Sequence, residues 1–458
     1  MKRKDFGEEI PGVLEGNAFL FFGQRISIVV FAVFLIFLAS GNVFAYNIEG
    51  NGNCNCGNCG DCTDALNDNA NCNSKVKLNQ NITDVVGTCI NNPANFNNKI
   101  FDCQGHTIEG DGSGYDQGIF LDSRQNNTIR NCIIRNFSYG IYLSSSSNNF
   151  LTNNTLTNNT YNFGIYGYEI SHFYQDIDKS NLVDNKPIYY WTNEKNAPNG
   201  CKNAVISDLN NTGFVALVSC DNITVKNLNL HNNSHGILLV NTTNSKILNN
   251  TANLNGYEGI SLHYYSSNNS LTNNTANLNN VTGIYIFGNS NFNKILNNKI
   301  LNNGKTGITL SNCGFWGHCY DNAGNSNNKI KDNKILNNNV GIFSHQSNST
   351  INNNVVCRNA NLDFNSSAWQ SSSGDNNTCN NSDGWNDTSV TGCKISCNCI
   401  NFDFDNDNKV DIFDVVAGLE HLKEEKMIYN KWCSARNYNE IDLFDLLILI
   451  EKIGMNTV

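Results

Sequence analysis

Five tetrapeptides recur along one stretch of the chain and limit what it can become. Gly236-Ile237-Leu238-Leu239, Gly259-Ile260-Ser261-Leu262, Gly283-Ile284-Tyr285-Ile286, Gly307-Ile308-Thr309-Leu310 and Gly341-Ile342-Phe343-Ser344 have glycines 23, 24, 24 and 34 residues apart. A second string lies between them: Lys246-Ile247-Leu248-Asn249-Asn250, Ser270-Leu271-Thr272-Asn273-Asn274, Lys294-Ile295-Leu296-Asn297-Asn298 and Lys329-Ile330-Lys331-Asp332-Asn333. A fixed period of this length marks a solenoid. The apolar residues alternate as in strands, so Ile and Leu face one way and the residue between them faces the other. Such a unit cannot bury its apolar face alone. Stacked copies can, at roughly 1.5–3 kcal/mol per buried Ile or Leu. Parallel stacking then gives a β-helix that rises about 4.8 Å per coil. At each Asn-Asn corner, one residue can enter the left-handed backbone region, and amides of successive coils can join in a ladder.

The pattern extends upstream. Gly118-Ile119-Phe120-Leu121 and Gly140-Ile141-Tyr142-Leu143 are 22 residues apart, and Gly164-Ile165-Tyr166 follows 24 later. With the string Phe101-Asp102-Cys103-Gln104-Gly105-His106-Thr107-Ile108 and the phrase 140–149, residues 75–360 resemble the NosD-like right-handed parallel β-helix proteins. The resemblance implies an all-β, right-handed solenoid. It implies little about activity, because polysaccharide-active enzymes and surface proteins share this coil.

The rest divides by composition. Residues 1–45 read as an export signal: Lys2, Arg3, Lys4 and Arg25 precede the apolar run 26–39, and Val43-Phe44-Ala45 offers a cleavage site. The 14-residue core is short for a bilayer span, so no membrane segment is expected once the signal is removed; the alternative is an uncleaved membrane anchor. Residues 46–75 form a Cys-rich cap, 76–359 the solenoid, and 360–400 a Cys-containing cap and linker. Cys59-Gly60-Asp61-Cys62 has a zinc-like spacing, but the cysteine count of 18 is even. In an exported chain, an even count favours disulfides. Residues 173–204 break the rhythm, as an excursion or as a seam within the solenoid. Residues 312–328, with Cys313 and Cys319, read as a disulfide-closed loop. Net charge is −10 without a basic block, which argues against nucleic acid.

Residues 401–458 turn helical in pattern. In 403–414, Asp403, Asp405, Asp407, the Lys409 carbonyl, Asp411 and Asp414 have the oxygen spacing of a Ca²⁺ loop. Asp442-Leu443-Phe444-Asp445 repeats Asp411-Ile412-Phe413-Asp414 after 31 residues. The pair resembles a dockerin, a small α-helical module, which implies a cohesin-like partner or surface scaffold. The second loop has Ser434, Arg436 and Tyr438 where ligands belong, so one Ca²⁺ is expected.

Aromatic residues at the outward position of the repeat, namely Phe120, Tyr142, Tyr166, Tyr285 and Phe343, suit stacking on the sugar rings of a polysaccharide or glycan. They suit equally an aromatic ladder that only stabilises the sheet. A carbohydrate-binding cell-surface or extracellular protein is the leading reading. The alternative is a polysaccharide lyase, epimerase or glycoside hydrolase, which needs clustered acids and bases on one face. Asp116, Asp122, Glu258, His263 and His345 are the candidates, without a motif among them. Copper handling, which the NosD name suggests, needs soft or imidazole ligands in clusters. The only methionines are Met1, Met427 and Met455, and the histidines are scattered. Asn-x-Ser/Thr sequons at Asn81, Asn158, Asn241, Asn280, Asn365 and Asn386 offer glycan acceptors where they lie in loops.

Overall fold

A computed structural model describes residues 46–208, 211–311, 327–345, 348–366, 369–397, 415–416 and 450. The expected export signal, the expected disulfide-closed loop with Cys313 and Cys319, and the expected calcium loop with its dockerin-like repeat lie outside these residues.

The repeats stack as expected. Short strands pair in parallel with their equivalents one coil away. The longest sheet has 13 strands, beside sheets of 8, 7, 4, 3 and 2. The strands that matter below are, in chain order, β1 (Gln117–Asp122), β2 (Tyr139–Ser144), β3 (Tyr161–Tyr166), β4 (Leu182–Val183), β5 (Lys186–Thr192), β6 (Phe214–Val218), β7 (His235–Val240), β8 (Glu258–His263), β9 (Thr282–Phe287), β10 (Thr306–Ser311), β11 (Val340–Ser344) and β12 (Leu362–Ser366). Ile237, Ile260, Ile284, Ile308 and Ile342 align in register and are fully buried inside the coils.

The Asn pairs divide their labour. The first member takes the left-handed corner: Asn249, Asn273, Asn297 and Asn353 have φ of 54°, 56°, 54° and 54°. The second turns inward and builds the ladder. Each Nδ2 donates to the next Oδ1 from Asn250 to Asn274, Asn298, Asn333, Asn354 and Asn377, at 3.0–3.1 Å. A parallel ladder runs through Asn255, Asn279, Asn303, Asn338 and Asn359. Both end on a carboxylate: Asn377 donates to Asp387 at 2.7 Å and Asn359 to Asp363 at 2.9 Å. A carboxylate accepts the last amide hydrogen and has none left to place.

Disulfides account for the Cys-rich start. Cys54–Cys72, Cys56–Cys62 and Cys59–Cys89 tie a helix, Cys59–Asn67, over the first coil, with the Asn58 side chain capping its N-terminus. Seven disulfides occur among the described residues, the others being Cys103–Cys132, Cys201–Cys220, Cys357–Cys397 and Cys379–Cys393. Such density belongs to an oxidising compartment, periplasmic or extracellular. No helix of the described residues is long and apolar enough to cross a membrane.

Two sequence expectations change. The stack runs on past residue 359: β12 pairs with β11, and Ser373–Asp375 adds to the sheet beside it. Their loss of the Gly-Ile signature is offset by Phe364, Trp369 and Trp385, which pack as the terminal core. Tyr166 also occupies a different place. Gly164 pairs with Tyr142, so Phe163 takes the slot of Ile141 and Tyr166 lies opposite Ser144. The 22-residue coil sets this register, and the Gly-Ile-Tyr string is two residues late.

The break at 173–204 is a seam. β4 and β5 pair antiparallel, Leu182 opposite Pro187, within an otherwise parallel sheet. The chain thereby ends a first stack and starts a second, whose outer face covers the first stack's last coil. Edge strand β3 meets residues 232–234: Asn162 N–H donates to Asn232 O at 2.6 Å, and Ser234 N–H donates to Phe163 O at 2.9 Å. Tyr190 Oη donates to Phe173 O, and Tyr264 Oη to Gly167 O. An edge that would recruit foreign strands is thus closed by the chain itself.

Candidate functional site

Two groups of side chains gather near this seam. The first is aromatic. Phe120 and Tyr142, one coil apart, stack at 5.9 Å between centroids and 15° between planes. Tyr142 leans over Gly164, where an added Cβ would meet its ring at 2.3 Å. Tyr139 touches Tyr142 and Tyr161, each at 5.0 Å, and the exposed Tyr115 at 5.9 Å. From the second stack Tyr257 arrives, its hydroxyl 3.1 Å from that of Tyr142 and its ring 6.5 Å from Tyr166. Burial, with Tyr115 and Glu258, outweighs the hydrogen bonds to Tyr142 and Tyr139 and pushes the Tyr257 phenol up to about 12, so it stays protonated at neutral pH. Phe120, Tyr142, Tyr166 and Tyr257 are each half-buried.

The other two expected sugar-binding aromatics lie elsewhere. Tyr285 is 3% exposed because the seam covers it. Phe343 lies two coils further along the second stack, edge-on to His345 at 4.6 Å. The row of five suggested by the sequence is therefore a cluster of three plus two separate rings.

The second group is polar and sealed. His235 and Glu258 are register partners at the position before the repeat glycine, and His263 ends β8. His235 Nε2 lies 3.0 Å from Glu258 Oε2. One ligand-type atom from each of His235, Glu258 and His263 falls within 4.8 Å of the other two. Ser234 Oγ is 2.8 Å from His235 Nδ1, and Ser261 Oγ is 2.7 Å from His263 Nε2. Phe173, Tyr264, Tyr285 and Phe287 ring His263 at 5.6–6.0 Å. Burial, with His235 nearby, holds the His263 imidazole well below its usual range and hence neutral. All three residues are at most 4% exposed.

Of the five catalytic candidates, only Glu258 and His263 come together. Asp116 is buried in the first stack, where it accepts the Ser138 N–H at 2.9 Å. Asp122 ends β1, and His345 sits three coils beyond His263. Sequence reasoning missed His235, Tyr139 and Tyr257. The signal was present: His235 stands before Gly236 as Glu258 stands before Gly259, so stacking had to bring them together.

Family comparisons agree with this architecture. The family described as "Right handed beta helix region" matches residues 177–316, and "Periplasmic copper-binding protein (NosD)" matches residues 53–196. The chain is a right-handed β-helix protein. The NosD-matched part of this β-helix has no methionine, and His106 and His172 are its only imidazoles. Each of its cysteines is in a disulfide, so that segment offers no copper ligand set. Similar solved structures include the mannuronan C-5 epimerase AlgE6 A-module of Azotobacter vinelandii, with 16% identity over 66% of this chain and 80% of that one and a TM-score of 0.33. A mutant of the periplasmic alginate epimerase AlgG shares 13% identity over 78% and 80%, with a TM-score of 0.37. A DFA-IIIase from Arthrobacter chlorophenolicus shares 12% over 70% and 70%, with a TM-score of 0.25. No curated protein matches the chain.

Proposed function

We propose that this β-helix is an exported carbohydrate-binding protein that holds a polysaccharide or glycan on the rings of Phe120, Tyr142 and Tyr166, with Tyr115 and Tyr257 at the margin. The observation that carries the reading is the parallel, half-buried Phe120–Tyr142 pair beside phenol hydroxyls. Flat faces take the C–H side of sugar rings, and hydroxyls take their oxygens. Binding is favoured over lyase, epimerase or hydrolase chemistry because the one close acid–histidine group among the described residues is shut away from any sugar. The test is a glycan array and a polysaccharide-cleavage screen with the exported chain. Phe120→Ala and Tyr142→Ala should each weaken binding about 3- to 10-fold. Release of product would replace the binding reading with the enzymatic one.

The same proposal gives the C-terminal segment a tethering role. Asp403, Asp405, Asp407, Lys409, Asp411 and Asp414 would hold one Ca²⁺, and the dockerin resemblance supports a cohesin-like partner. Calorimetry with and without calcium, on wild type and Asp403→Ala, tests it. An identical trace for wild type in both conditions removes the ion site.

A further inference from the structure

We infer that His235, Glu258 and His263 form a site for a divalent first-row transition ion of the Zn²⁺ type, enclosed where the two stacks meet. Two imidazoles and one carboxylate are borderline donors. They suit Zn²⁺ better than Ca²⁺ or Mg²⁺, which want oxygen alone, or Cu(I), which wants sulfur. The donors are near the required spacing. Ligands about 2.0–2.2 Å from a tetrahedral ion are about 3.3–3.6 Å apart. Here one donor atom from each residue lies within 4.8 Å of the other two, so side-chain rotation must draw them together to close the set.

Hydrogen bonding supplies the independent sign. His263 Nδ1 is buried without a partner. Glu258 Oε2, 3.0 Å from His235 Nε2, is also without a hydrogen bond. Buried polar atoms are nearly always satisfied, and orphans call for an explanation. The serines complete the pattern. Ser234 engages Nδ1 of His235 and Ser261 engages Nε2 of His263, each leaving the opposite ring nitrogen for an ion. Metal-bound histidines are held through their second nitrogen in this way. Three protein ligands leave a fourth position for water or a hydroxyl.

All three ligands belong to β7 and β8, but the first stack is their cover. Phe173 lies 6.0 Å from the His263 ring, and β3 is bonded across residues 232–234. An ion enters as the seam closes and leaves only when it opens.

The test uses the full exported chain with its disulfides intact. After dialysis against EDTA, mass-spectrometric metal analysis from Mn to Zn should find about one equivalent per chain. Unfolding in guanidinium with EDTA should release it. Refolding with ZnCl₂, with Ca²⁺ present to occupy the acidic loop, should restore one equivalent and raise the thermal midpoint over refolding in EDTA. Co²⁺ used in its place should give the visible bands of a four-coordinate nitrogen–oxygen site. Glu258→Gln and His263→Ala should lower retained metal at least tenfold. Less than about a tenth of an equivalent in both native and ZnCl₂-refolded wild type overturns the site and leaves a buried ion pair. Undiminished metal in both variants overturns it as well. Because the wild-type comparison needs no substitution, poor folding of a variant does not decide the matter.

Discussion

Asn298 sits in the middle of the longer amide ladder, and replacing it with Ala tests whether the ladders stabilise the coil. Its Oδ1 accepts from Asn274 N–H at 2.9 Å and from Asn274 Nδ2 at 3.0 Å. Its Nδ2 donates to Asn333 Oδ1 at 3.0 Å and to Leu271 O at 2.9 Å. Alanine leaves the buried Asn274 N–H with no acceptor. Asn274 Nδ2 keeps Ile247 O, and Asn333 Oδ1 keeps the Asn298 N–H. The orphaned amide costs about 1–3 kcal/mol and the three weaker losses about 0.5 kcal/mol each, a total of about 2.5–4.5 kcal/mol. Asn298→Asp should be worse, because a carboxylate oxygen would face Asn333 Oδ1 and Leu271 O. The assay is denaturant unfolding with disulfides oxidised, together with hydrogen exchange at the Asn274 amide, which should lose protection. Lys294→Ala, on the exposed face of the neighbouring strand, is the control. If Asn298→Ala falls within about 0.5 kcal/mol of that control, near the range of ordinary surface changes, the ladder is decoration and the reasoning fails.

Trp385→Ala should cost about 3–5 kcal/mol, since its ring is buried and stacked at 5.2 Å on Phe364. The loss should appear as early melting of the last coils by hydrogen exchange. Asp102 gives a pH signature. Burial would raise its carboxyl, but Asn131, the Gln104 N–H and Arg130 outweigh burial and hold it below the usual range. Its stabilisation is complete above about pH 4, the unfolded value, and is lost as pH falls through the lower folded value. Unfolding curves of wild type and Asp102→Asn should therefore converge on acidification below pH 4. Parallel curves would refute the assignment.

Much of the coil was legible because one residue type per position does one physical job. Ile after Gly fills the interior, and Asn-Asn turns the corner. The disulfides were legible for a similar reason, since an even cysteine count in a chain read as exported leaves few alternatives. What eluded the sequence was pairing across the reversal at Pro187. Nothing in the Gly-Ile-x-Leu string tells that Leu238, Ser261 and Tyr285 face outward from their coil yet lie under another. That hidden cover turned Tyr285 from a surface ring into a buried one and closed the space around His235, Glu258 and His263. The late Gly164-Ile165-Tyr166 string misled for another reason: local likeness pointed to one alignment and hydrogen-bond register chose another.

Each amide ladder also has a direction, passing a hydrogen from one coil to the next until it reaches Asp387 or Asp363. The acid is a full stop. In these two ladders of the second stack, the run of amides ends where the sequence places an acid. Adding or removing one coil beyond the seam would add or drop one rung of each ladder. The column would shorten or lengthen by about 4.8 Å at each step.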